Sequence, residues 1–327
     1  MEQHGSHDHE HTHGAIDPGL LSSKRGIHAL MWSLLIMMIT AGIQVFLVVI
    51  TGSVALLADT VHNFGDALTA VPLWVAFKLG TKEPTDRYTY GLGRIEDLAG
   101  IFIVLVILSS AIFAGYETTL RFLHPQKMTH VWVVAVAGAV GFVGNEAVAL
   151  YRLKVGKEIG SAALIADGYH ARIDGLTSLA VLVGAIGVWL GFPLADPIMG
   201  LIITLAILRI VWQAGKSVLT RLLDGIDPEV VVELVDAASK VPGVLEVTDA
   251  RVRWLGHRMH SEVNIAVSSE LSVERGHEIA MDVRHRLLHQ LSYLSDVVVH
   301  VDPENVSGER LHRIVGHEHD DLDEHSH

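Results

Sequence analysis

The 327-residue sequence contains no cysteine, which excludes disulfides, thiolate metal sites and cysteine nucleophiles. Basic residues are scarce: 24 Lys and Arg stand against 37 Asp and Glu, a formal charge of −13 with histidine neutral. That balance argues against nucleic acid as a partner, because phosphate binding needs a basic surface. Charged residues make up only 19% of the chain, below the ~25% of ordinary soluble domains. No GxxxxGK[ST] phosphate loop occurs and no HExxH pair lies in an apolar segment, so ATP drive and intramembrane metalloprotease chemistry find no support. The first 25 residues are polar and His-rich, unlike a cleaved signal peptide.

Hydrophobic residues make up half of the chain, and 21 residues are histidine. The apolar residues concentrate in six segments, at about 28–51, 54–79, 98–120, 130–151, 161–190 and 194–213. Each approaches the roughly 20 residues that a helix needs to cross a bilayer. Lys24 and Arg25 precede the first segment. Lys82, Arg87 and Arg94 follow the second, Arg152, Lys154 and Lys157 the fourth, and Lys216 and Arg221 the sixth. The alternate loops carry few basic residues, so the pattern predicts a multi-pass protein of the cell inner (cytoplasmic) membrane with both termini in the cytoplasm.

The expected organisation is a His-rich cytoplasmic tail over 1–25, a six-helix membrane domain over 26–213, a cytoplasmic α+β domain over 214–303, and a disordered His/acid tail over 304–327. Within the third unit, 228–240 and 273–291 read as helices. Residues 246–254 and 259–267 read as a hairpin around Gly256, and 296–302 as a last strand. The order α-β-β-α-β implies a small two-layer, ferredoxin-like domain.

Ionisable residues inside a bilayer are costly and are functional candidates by default. The second segment holds Asp59, His62 and Asp66, and the fifth holds Asp167, His170 and Asp174; both read D-x-x-H-x-x-x-D. His and Asp four apart share one helix face. Two such helices together offer two imidazoles and two carboxylates, a set suited to Zn²⁺. The alternative is structural hydrogen bonding between helices. Asp59 and Asp167, three residues before each histidine, are candidates either for orienting it or for helix packing. Arg172 lies on a different helix face and is not expected to be a ligand.

These paired motifs, six spans and α+β tail resemble the cation diffusion facilitator family, over roughly residues 25–303. The segments YGLGRIEDLAG and VVVHVDP look like family segments as well. The resemblance implies a homodimeric zinc/proton antiporter whose transport site is His62, Asp66, His170 and Asp174. It also implies a metal site in the cytoplasmic domain, where His277, His300 and Asp302 match family ligands. His300 and Asp302, two apart on a strand, point to one face. Thr248 and Asn264 stand where some members have histidine, and His257, His260 and Glu262 are candidate replacements; solvated surface histidines are the alternative. In the loop after the second span, DRYTYGLGR places Tyr88 and Leu92 where many members carry metal-binding histidines, so that further site is expected to be absent. The His/acid tails, with His4 to His13 and His317 to His327, suit loose Zn²⁺ binding.

The reading is therefore efflux of a divalent cation, Zn²⁺ first, by alternating access with proton exchange. Neutral imidazole binds metal and protonated imidazole does not, which offers the coupling. Two other readings stay open: a metal sensor that signals through its cytoplasmic domain without transport, and an intramembrane zinc enzyme.

Overall fold

The computed structural model describes residues 18–51, 70–123, 131–192 and 194–304. Asp59, His62 and Asp66 lie outside the described residues, as do the two His-rich tails beyond 18 and 304. Among the described residues, six helices precede the C-terminal unit: α1 (Pro18–Thr51), α2 (Ala70–Gly80), α3 (Arg94–Leu123), α4 (Val131–Ile159), α5 (Ala162–Trp189) and α6 (Ala195–Leu222). Among the described residues, five of them are long and apolar enough to cross a membrane, and α2 is a shorter apolar helix.

Four of the helices, α1, α3, α4 and α6, outrun their apolar segments. α1 begins at Pro18 and α4 continues to Ile159, both through charged residues. α6 runs to Leu222, past residue 213 where the apolar pattern weakens. Hydropathy marks only the lipid-embedded stretch, whereas backbone hydrogen bonding carries a helix beyond it. α4 packs along α5, α5 also contacts α6, and α1 packs on α4. Gly168 of α5 permits the close α4–α5 approach, since a Cβ there would stand 3.0 Å from the Leu153 backbone nitrogen. Outward-facing residues such as Phe113, Trp132, Trp189 and Trp212 are more than 60% exposed. Such a surface fits hydrocarbon and its aromatic-rich borders rather than water.

The C-terminal unit contains α7 (Pro228–Ser239), β1 (Glu246–Leu255), β2 (Arg258–Val267), α8 (Val273–Gln290) and β3 (Leu294–Pro303). Asp227 caps α7 by accepting from the Glu229 amide at 3.1 Å, with Pro228 at the first helical position. Ser272 likewise caps α8. The sheet order is β1-β2-β3, with β1 and β2 antiparallel and β2 and β3 parallel across the α8 crossover. Met259, Ser261, Val263 and Ile265 alternate toward a core that also takes Leu234 of α7 and Ile279 and Val283 of α8. The opposite face of the sheet carries His260, Glu262 and Asn264, with Asp296 and His300 in register beside His260 and Asn264. The predicted α-β-β-α-β order and the hairpin at Gly256 are both present.

Candidate metal centre

Ser161 starts α5: its side chain accepts from the Leu164 amide at 3.0 Å and fixes the phase of the helix. Asp167, His170 and Asp174 follow on the side buried against neighbouring helices, at 0%, 1% and 6% exposure. His170 Nδ1 lies 3.9 Å from Asp174 Oδ2, too far for a hydrogen bond but one turn apart on one face. An imidazole and a carboxylate so placed present two metal donors within a membrane-spanning helix. The matching residues of the second apolar segment are outside the described part of the chain, so the geometry concerns the α5 half.

Asp167 has a partner that the sequence did not suggest. Arg152 of α4 reaches it, Nη1 to Oδ2 at 2.9 Å, with both side chains almost fully buried. Arg152 Nη2 also lies 3.8 Å from Met37 Sδ on α1. In sequence, Arg152 belongs to a charged stretch after the fourth apolar segment and reads as loop. The extension of α4 by two turns puts it opposite Asp167 instead. Arg172, which stands between His170 and Asp174, turns away and pairs with Glu146 of α4 through two hydrogen bonds of 2.7 and 3.3 Å.

The C-terminal domain groups its candidates less closely. His300 Nε2 and Asp302 Oδ1 are 2.9 Å apart, on one strand face. His277 is exposed on α8. Among the described residues, no three His, Asp or Glu side chains come together as a metal site. His260 sits by Ser295 at 3.4 Å and by Asp296 at 3.9 Å, and burial pushes its imidazole below the ordinary histidine pKa while Asp296 opposes the shift. Glu262 is half exposed, 3.6 Å from Arg253.

His257 does not join His260 and Glu262. The β1–β2 turn carries it away from the sheet and into the end of the helix bundle. There its Nδ1 lies 2.6 Å from Glu96 Oε2 of α3, and its Nε2 lies 3.2 Å from Ser23 Oγ of α1. The Phe77 ring of α2 packs beside it, and the Gly256 amide donates to Asp97 Oδ2 at 3.3 Å. Gly256 has φ +64°, and a Cβ on it would meet the Gly93 carbonyl at 2.8 Å. Arg221 of α6 lies 3.9 Å over the Trp254 ring, and Arg94 pairs with Asp224. This junction fixes the α+β domain to the ends of four helices, α1, α2, α3 and α6. Glu96 and His257 are 161 residues apart, so no local spacing announced it.

Comparison with known proteins bears on the whole chain. Residues 30–223 match the family described as Cation efflux transmembrane domain, and residues 226–304 match Cation efflux protein, cytoplasmic domain. A probable cation efflux system protein of Mycobacterium tuberculosis is 52% identical over 316 residues, covering 91% of this chain and 95% of that protein. The magnetosome protein MamB of a Magnetospira species is 26% identical over 260 residues, covering 79% and 89%. The manganese efflux system protein MneP of Bacillus subtilis is 24% identical over 291 residues, covering 86% and 96%.

Proposed function

The chain belongs to the cation efflux family, and from that premise we propose that it exports Zn²⁺ by alternating access in exchange for protons. Its family consists of transporters rather than enzymes, which removes the intramembrane hydrolase from consideration. The observation that carries the reading is the buried pair His170 and Asp174 on α5. An ionisable imidazole and carboxylate within a membrane helix are costly to place there and are functional candidates by default. His62 and Asp66 complete the proposed site from the matching motif.

Relatives named for manganese efflux and for magnetosomes are more distant than the mycobacterial protein. The choice of Zn²⁺ therefore rests on the donors. Two imidazoles and two carboxylates suit a borderline, tetrahedral ion, whereas Mn²⁺ favours oxygen-rich sets. The four residues bind the ion in their deprotonated forms on the cytoplasmic side. Protons arriving from the opposite side then compete for His62 and His170 and displace it. The positive-inside pattern supports an inner membrane location with both termini in the cytoplasm.

The C-terminal domain is proposed to join two copies, in line with its family match. A regulatory Zn²⁺ on His277, His300 and Asp302 then needs a donor contributed across that dimer or a shift of α8, because these residues do not close a site within one chain. The test of the mechanism is flux in proteoliposomes that contain an internal pH indicator. Zinc uptake accompanied by opposite proton movement is expected, and zinc flux without proton flux overturns the antiport.

A further inference from the structure

We propose that Arg152 is a positioning residue that sets metal preference, by withholding the Asp167 carboxylate from the transported ion. The inference rests on the reading of His170 and Asp174 as transport ligands. Asp167 precedes His170 by three residues, so the two share one side of α5, roughly 4.5 Å apart along its axis. An ion on His170 is within reach of an Asp167 side chain that is not held elsewhere.

Arg152 holds it. The guanidinium lies 2.9 Å from Asp167 Oδ2, and the two side chains are 1% and 0% exposed. Neither Asp167 oxygen nor Arg152 Nε makes a hydrogen bond among the described residues, so the pair is a buried ion contact held by charge. Arginine does not lose its proton, so this neutralisation operates at every accessible pH. A carboxylate engaged by a guanidinium is a weaker donor to a cation. The contact to Met37 Sδ at 3.8 Å sets the Arg152 head group between α1, α4 and α5.

The consequence is a limit on coordination. With Asp167 withheld, α5 supplies one imidazole and one carboxylate, and two such helices give the four donors that satisfy Zn²⁺. With Asp167 released, the set gains a carboxylate and shifts toward the oxygen-rich, higher-coordinate environment that Mn²⁺ prefers. Arg152 thereby favours the borderline metal without touching it.

The test compares initial Zn²⁺ and Mn²⁺ uptake rates in proteoliposomes of the full chain. Arg152→Met is expected to lower the Zn²⁺/Mn²⁺ rate ratio by about tenfold or more, the usual scale for groups acting on metal ligands from behind. The double variant Arg152→Met with Asp167→Asn is expected to return to the wild-type ratio. A ratio unchanged in Arg152→Met, or still shifted in the double variant, overturns the proposal. If Arg152→Met fails to insert, the double variant decides, since it buries no unpaired charge. Its wild-type ratio supports withholding, and loss of its zinc flux identifies Asp167 as a ligand and overturns it. His170→Ala is run alongside. Zinc flux that survives in His170→Ala rejects the transport-site reading itself, whereas loss of flux there with an unchanged ratio in Arg152→Met rejects only the role of Arg152.

Discussion

At the scale of single residues, two buried histidines have different employment. His170 lies on a membrane helix beside Asp174, while His257 bonds Glu96 and Ser23 at the base of the bundle. The sequence made His170 legible, because an ionisable residue in an apolar run is conspicuous and the motif recurs. It misdirected His257, whose neighbours His260 and Glu262 suggested a shared ligand set. The deciding contacts of His257 come from residues 161 and 234 positions away. Arg152 was hidden for a similar reason: its partner lies on the next helix, and its own stretch reads as a charged loop. Glu96→Gln is expected to lower stability by about 1.5–3 kcal/mol, the scale of a charge-assisted hydrogen bond. In thermal unfolding of the detergent-solubilised protein, Glu96→Gln with His257→Gln is expected to cost less than the sum of the single changes, because the two share one contact. Additive losses contradict the pairing. Asp167→Asn alone leaves Arg152 buried without a counter-charge and is expected to cost about 3–5 kcal/mol. Unfolding that matches the wild type contradicts a tightly buried pair.

At the scale of elements, the strands and caps of the C-terminal domain were readable from period-two alternation and from Asp227 and Ser272. The helix limits were not, since charged turns at the ends of α1, α4 and α6 lie outside the hydropathic signal but inside the hydrogen-bonded helix. The seat of the β1–β2 hairpin depends on close backbone approach: a Cβ on Gly93 would lie 2.9 Å from the Leu255 carbonyl oxygen. Gly93→Val is therefore expected to lift the hairpin, seen as faster amide exchange across 254–259 while the α7 and α8 amides stay protected. Unchanged exchange at the turn contradicts this packing. His260 gives the β2–β3 region a pH dependence of defined sign. Its folded pKa is lowered, chiefly by burial, so the unfolded chain takes the proton first as pH falls below about 6.5. Stability from this group is complete above that pH and declines below it. Amide exchange in β2 and β3 is expected to quicken on acidification, and His260→Gln to flatten that response.

At the scale of the whole molecule, the helix bundle and the α+β domain are joined by side chains from α1, α2, α3 and α6 gathered around one hairpin turn. The alternating pattern of basic loops already indicated a multi-pass protein, and the tail's element order its second domain. Neither revealed how the two dock, because docking depends on contacts across the full length of the chain. The central claim concerns the His–Asp site within the bundle. Zinc uptake by reconstituted wild type, His170→Ala and Asp174→Ala, each verified as folded and inserted, tests it most directly. Uptake in both variants is expected to fall to that of protein-free vesicles, and wild-type uptake by either one would contradict the account.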